Sequence, residues 1–156
     1  MTDPQADLFA HRRVVTGLDA EGKSCVVIDG PIPRFNKMTA ALAWRTDAHP
    51  ADNSGSDDPV APYAVEMLHA PGSNFAICQF PPNTPELMHA TDTIDYLVIL
   101  SGRVTLVLEE GEAALGPGDF VVDRGVMHGW RNPHAEPCVA AVVNLPAKSV
   151  GKGRTI

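Results

Sequence analysis

The chain has 156 residues, 44% apolar and 20% charged, with a formal charge of −7. That length suits a single domain with one core, which at about 150 residues buries roughly 68–70% of its unfolded surface without needing staples. The acidic balance argues against a phosphate-backbone partner, because the only basic runs, His11-Arg12-Arg13 and Lys148 to Arg154, lie near the ends.

Met1 to Asp7 is polar and acidic and lacks the basic-then-apolar order of a secretory signal. No apolar run reaches the roughly 18 residues of a membrane-spanning helix, so no membrane partner is expected. Cys25, Cys78 and Cys138 form no Cys-x-x-Cys pair, and an odd count without disulfide spacing favours a reducing compartment. A cytoplasmic protein is expected. Cys78 and Cys138 sit in apolar runs and read as small core residues.

Residues 1–10 read as an arm. Arg13 to Thr16 and Ser24 to Ile28 are β-prone runs flanking the turn Asp19-Ala20-Glu21-Gly22-Lys23, which predicts a hairpin. Pro31 and Pro33 break the chain. Met38 to Thr46 is apolar and fits a strand or a helical turn; as a strand it places Trp44 and Thr46 on one face. Ala48 to Pro62 is rich in Asp, Pro, Ser and Gly and reads as a long surface loop.

Beyond this loop the rhythm shortens. Phe75 to Phe80, Ile94 to Leu100, Val104 to Leu108, Phe120 to Val122 and Val139 to Leu145 are short β-rich runs. Pro81-Pro82-Asn83, Ser101-Gly102, Glu110-Gly111, Pro117-Gly118-Asp119 and Asn132-Pro133 separate them. Close spacing of short strands predicts an all-β antiparallel barrel or jelly roll. The domain reading is 1–70 as arm, hairpin and loop packing on the barrel, 71–147 as the barrel, and 148–156 as a tail, all in one domain. Ile94 to Leu100 is nearly all apolar, so both its faces should be covered. One face suits the barrel interior. The other needs the N-terminal strands or a second subunit, and a homodimer is expected.

Polar residues recur at even spacing around these strands. His89 and Thr91 are two apart and share a face, as do Asp95, Leu97 and Ile99, and as do His128, Trp130 and Asn132. Trp130 beside His128 would make an aromatic wall next to a polar cluster, which is the usual look of a small-molecule site. The bland readings are a hydrogen-bonded structural imidazole for each His, turn chemistry for Asp95 and Asp119, a core role for Trp130 and a structural role for Asn132. His11, His49, His69 and His134 read as surface residues; Arg103 and Tyr96 are polar handles with no assigned place.

Two stretches carry a family resemblance. One runs His89-Ala90-Thr91-Asp92-Thr93-Ile94-Asp95 and, after six intervening residues, Gly102; the other runs Pro117-Gly118-Asp119, then Gly125-Val126-Met127-His128 and Asn132. They resemble the two signature motifs of the cupin superfamily over about residues 75–145. Thr91 stands where the family has a second His, Asp95 where it has Glu, and Asp123 where a Pro often occurs. The resemblance implies a barrel with a divalent metal at His89, Asp95 and His128. Such a two-His-one-carboxylate set suits first-row metals, leaving iron, manganese, zinc and nickel undistinguished. It implies a small-molecule enzyme, with decarboxylase, lyase, isomerase and dioxygenase chemistry all open, and with Thr91 and Trp130 against the substrate. The missing second His supports an alternative: a metal-free isomerase, epimerase or dehydratase using His89 oriented by Asp95, with His128 as acid. A non-catalytic ligand-binding barrel is the third reading.

Overall fold

The computed structural model describes residues 10–36 and 38–156. The expected N-terminal arm, apart from Ala10, lies outside the described residues. Among the described residues ten strands follow one another: β1 (Arg12–Leu18), β2 (Ser24–Pro31), β3 (Ala40–Thr46), β4 (Ser73–Phe80), β5 (Thr93–Ser101), β6 (Val104–Leu108), β7 (Glu112–Leu115), β8 (Phe120–Asp123), β9 (His128–Arg131) and β10 (Cys138–Pro146). A 3-10 turn, Val65–His69, lies between β3 and β4. No helix among the described residues is long and apolar enough to cross a membrane.

The strands form three antiparallel sheets. β1 and β2 make the expected hairpin, in which Asp19 Oδ1 accepts from the Glu21 and Lys23 amides and closes the turn. A five-stranded sheet has the order β3-β4-β10-β5-β8, and a three-stranded sheet the order β7-β6-β9. Of the run Met38 to Thr46, the part from Ala40 onward is thus a strand, at the edge of the larger sheet. Glu112–Leu115, a strand the apolar runs do not mark, pairs with β6.

Pairing register explains the core. Leu42, Ala76, Val142, Leu97 and Val121 lie directly opposite one another across all five strands of the larger sheet. All five are buried and form one cluster, against which Leu106, Leu115 and Trp130 of the smaller sheet pack. The two sheets therefore face each other over an apolar centre, the barrel that the strand rhythm predicts. At one end Arg13 pins the hairpin to this body. Its guanidinium donates to the Ala43 carbonyl at 3.1 Å, where β3 bulges between Leu42 and Trp44, and pairs with Asp58 of the long loop.

The outer face of the larger sheet is only partly covered. Ile32, just after β2, packs on Ala41, Ile77 and Val139. The far end carries Tyr96, Phe120 and Val122 at 47%, 83% and 58% exposure. The expectation that both faces of the β5 run are covered thus holds for the inner face alone within one chain.

Candidate active site

The neighbouring register row differs in kind. Arg45, Asn74, Asn144, Asp95 and Asp123 lie opposite one another, one from each strand of the five-stranded sheet. They sit two residues from the apolar core row on most strands, so they share its inward face. Asn74, Asn144 and Asp123 are buried. Polar side chains in such a place are rare unless partnered or functional.

His128 closes the Asp123 end of the row. It opens β9, opposite Leu108 of β6, while Trp130 lies opposite Leu106 and faces the core. The ring is buried, with Nδ1 2.8 Å from Asp123 Oδ2 and 2.9 Å from the Val126 carbonyl. Asp123 is itself fixed, because its Oδ1 accepts from the Gly125 amide at 3.1 Å. Gly125 has a φ of 72°, and a Cβ there would lie 2.5 Å from the Thr91 carbonyl oxygen. Only glycine fits this notch, which lets the chain leave β8, pass under residues 91–93 and return with His128 aimed inward.

His89 arrives from the other side. An isolated bridge joins it to His128, each backbone amide donating to the other's carbonyl at 2.8 and 2.9 Å. The ring centroids are 4.4 Å apart, and Nδ1 of His89 lies 2.8 Å from the Leu87 carbonyl. Each imidazole thus has Nδ1 against a backbone carbonyl, which places the proton on Nδ1 and leaves Nε2 as the lone-pair nitrogen. Trp130 meets the His128 ring edge-on at 6.0 Å and packs on Phe80 at 5.1 Å.

The electrostatics follow from burial. Desolvation works to lower the His128 pKa, but the Asp123 contact, the Val126 carbonyl and the charges of Asp123 and Asp95 outweigh it, and the net shift is upward. Asp95 is raised chiefly by burial and further by Asp123 opposite it, against hydrogen bonds from Asn144 and Thr93 and the charge of His128. Burial also raises the Tyr63 phenol, with added repulsion from Cys78 and Asp95. The Cys78 thiol is pushed up to about 12 and Cys138 up to about 11, both mainly by burial, so neither is a ready nucleophile.

The sequence-expected residues are therefore divided. His89 and His128 come together. Trp130 lies beside the His128 ring and packs on the core clusters. Thr91 is buried, with its hydroxyl 2.7 Å from that of Thr93. Asp95 points inward but stands in register with Asn144 and Asp123; the carboxylate against an imidazole is Asp123, on His128. No three His, Cys, Asp or Glu side chains among the described residues are grouped so as to hold a metal ion. The set His89, Asp95 and His128 does not fit a three-ligand centre as arranged here. His69, expected at the surface, is half-buried with Nε2 enclosed and unpartnered.

Asp123 and Asn144 escaped the motif reading. Each had a signal. Asp123 is two residues from Val121 and thus inward by parity, and Asn144 is a lone polar residue in the apolar run Val139 to Leu145.

A family model described as a cupin domain matches residues 76–144. The phomopsin biosynthesis cluster protein C' of Diaporthe leptostromiformis is 38% identical over 164 residues, covering 92% of this chain and 82% of that protein. The cupin-domain-containing oxidoreductase virC of Hypocrea virens is 32% identical, covering 84% of this chain and 72% of that protein. Among solved structures, a cupin 2 conserved barrel domain protein from Salinispora arenicola superposes with a TM-score of 0.45 at 23% identity, over 56% of this chain and 71% of that one.

Proposed function

Because this chain belongs to the cupin family, we propose that it is a small-molecule enzyme whose own residues supply proton transfer through the buried Asp123–His128 pair, with His89 as a second imidazole. The observation that carries this reading is the Nδ1 contact of 2.8 Å between His128 and Asp123, with the His89 ring 4.4 Å away. A carboxylate on Nδ1 holds the ring in one tautomer and stabilises the imidazolium once Nε2 has taken a proton. His128 Nε2 removes a proton from a substrate carbon next to a carbonyl, and the resulting His128 imidazolium returns it at a neighbouring atom. A positioned base of this kind is worth about 10²–10⁴-fold in rate. The relatives named cupin-domain-containing oxidoreductases support an oxidoreductive setting for the same base.

The divalent-ion reading rests on the family resemblance and needs a third ligand brought to the two imidazoles. One experiment separates the two readings. Protein purified without a metal-affinity tag is analysed for metals and incubated in D₂O with a panel of small carbonyl compounds. Proton transfer predicts deuterium uptake at the α carbon that falls at least about 100-fold in His128→Gln. A divalent ion at one per chain, lost in His128→Gln, overturns the proton-transfer reading.

The homodimer is likewise proposed, through the outer face of the larger sheet. Phe75, Tyr96, Leu100, Phe120 and Val122 are each more than 40% exposed there. Aromatic side chains carry about 150–250 Å² each, so the face offers several hundred Å², the scale of the about 800 Å² per partner in a standard interface. Light scattering that shows a monomer at micromolar concentration refutes it.

A further inference from the structure

The polar row holds more than the His128–Asp123 pair uses. Two of its members are tied into the protein: Asn74 donates to the Met67 carbonyl at 2.9 Å, and Asp123 Oδ1 accepts from the Gly125 amide while Oδ2 stands in ionic contact with His128 Nδ1. In the middle of the row Asn144 donates to Asp95, yet each of the two side chains keeps one buried oxygen without a donor. Asn144 is 5% exposed, and its Oδ1 has no hydrogen-bond partner. Asp95 Oδ1, on the adjacent strand and directly opposite, is also buried without one. Directly paired residues on antiparallel strands have Cβ atoms about 4.5–5.5 Å apart, so the two orphan acceptors belong to side chains that one small group can reach. Their surroundings are apolar: the core row with Val142 and Leu97 runs alongside, and Trp130 and Tyr63 pack on it. A buried acceptor without a donor is costly, and these two lie side by side on the inward face of the larger sheet, in the same row as Asp123, whose carboxylate contacts His128 from the facing sheet.

We propose that Asn144 and Asp95 form an acceptor pair that anchors a hydroxyl group of the substrate inside the barrel, orienting the molecule toward His128. The substrate class is a hydroxylated molecule with an apolar body. The hydroxyl proton faces the two oxygens, and the body lies against Leu97, Val142 and Trp130. A methyl ether of the same shape offers no donor and leaves both oxygens unpaired, which is the basis of discrimination. This assignment rests on the proposed enzyme reading for its chemistry, but the anchoring is a binding event and is tested as one.

The test uses saturation-transfer NMR on the full chain with two matched pairs, phenol against anisole and cyclohexanol against methoxycyclohexane. The pairs distinguish an aromatic from an aliphatic body. Wild type should show transfer to at least one alcohol, at least fivefold stronger than to its ether, and Asn144→Leu should abolish the preference. His128→Gln should keep it. Equal transfer to alcohol and ether, no transfer to any of the four, or a preference that survives in Asn144→Leu overturns the proposal. A preference lost in His128→Gln and kept in Asn144→Leu overturns the anchor and leaves the proton-transfer reading standing. Since Asn144→Leu alone strands Asp95, the double variant Asp95→Leu/Asn144→Leu is examined as well. An anchor whose acceptors serve the ligand predicts a melting temperature at or above that of wild type, whereas a fall of more than about 10 °C, a loss of several kcal/mol for a domain of this size, shows a structural pair and overturns the assignment.

Discussion

Asn132→Ala should destabilise the barrel without touching its proton-transfer pair. Asn132 is fully buried. Its Nδ2 donates to the carbonyls of Phe80 and Glu136, each at 2.9 Å, and its Oδ1 accepts from the His134 amide at 2.9 Å. One carboxamide thus closes the loop between β9 and β10 and ties it to the end of β4. Alanine leaves two carbonyls and one amide without partners. A stranded buried group costs about 1–3 kcal/mol, but Glu136 is exposed and His134 half-exposed, so water recovers part of that loss. The expected cost is about 2–4 kcal/mol, and at about 2–4 °C per kcal/mol for a domain of this size the melting temperature should fall by about 4–16 °C. Urea unfolding followed by the fluorescence of Trp44 and Trp130 measures it. Asn132→Asp keeps the acceptor for His134 and loses both donors, so it should be no better than alanine. A loss below about 0.5 kcal/mol for Asn132→Ala, within the range of an ordinary surface substitution, would refute the reasoning.

Gly125→Ala forces a side chain into a left-handed backbone position against the Thr91 and Thr93 carbonyls, and should either prevent folding or displace His128, seen as loss of the His89–His128 ring contact in NMR. Leu42, at 1% exposure in the centre of the core row, should cost about 2–5 kcal/mol as Leu42→Ala in chemical denaturation. The Asp58 carboxyl is held below its ordinary value chiefly by the Arg13 guanidinium. A depressed carboxylate pKa gives stability that is present above the unfolded value of about 3.9 and is lost as pH falls through the folded value. Asp58→Asn should therefore flatten the acid limb of the stability curve below about pH 4. Because Asp58 is one-third exposed and screened by water, the cost at neutral pH is about 1–2 kcal/mol.

How much of this was legible in the residues differs between fold and site. Alternating polar and apolar residues report which way a side chain points, because strand geometry repeats every two residues. Parity therefore placed His89, Asp95, His128 and Trp130 on inward faces, and the turn residues between short β-rich runs gave the barrel. Glu112–Leu115 was missed because Glu-Ala-Ala-Leu has little β character of its own; it is a strand because β6 offers it an edge. Asn132 read as structural, and its three hydrogen bonds agree.

Partner choice was not legible. Periodicity within a strand says nothing about which residue of another strand stands opposite, and that is fixed by sheet order and register. The order β3-β4-β10-β5-β8 sets Asn144, from near the end of the chain, between Asn74 and Asp95. It also places Asp95 opposite Asp123, leaving Asp123 for His128 while the His89 ring meets a backbone carbonyl. The sequence by itself determined most of the barrel strands, their inward faces and the two imidazoles, because these depend on local spacing. Only the tertiary structure decided which carboxylate serves which imidazole and where two acceptors remain unpaired, because those depend on contacts between strands far apart in the chain.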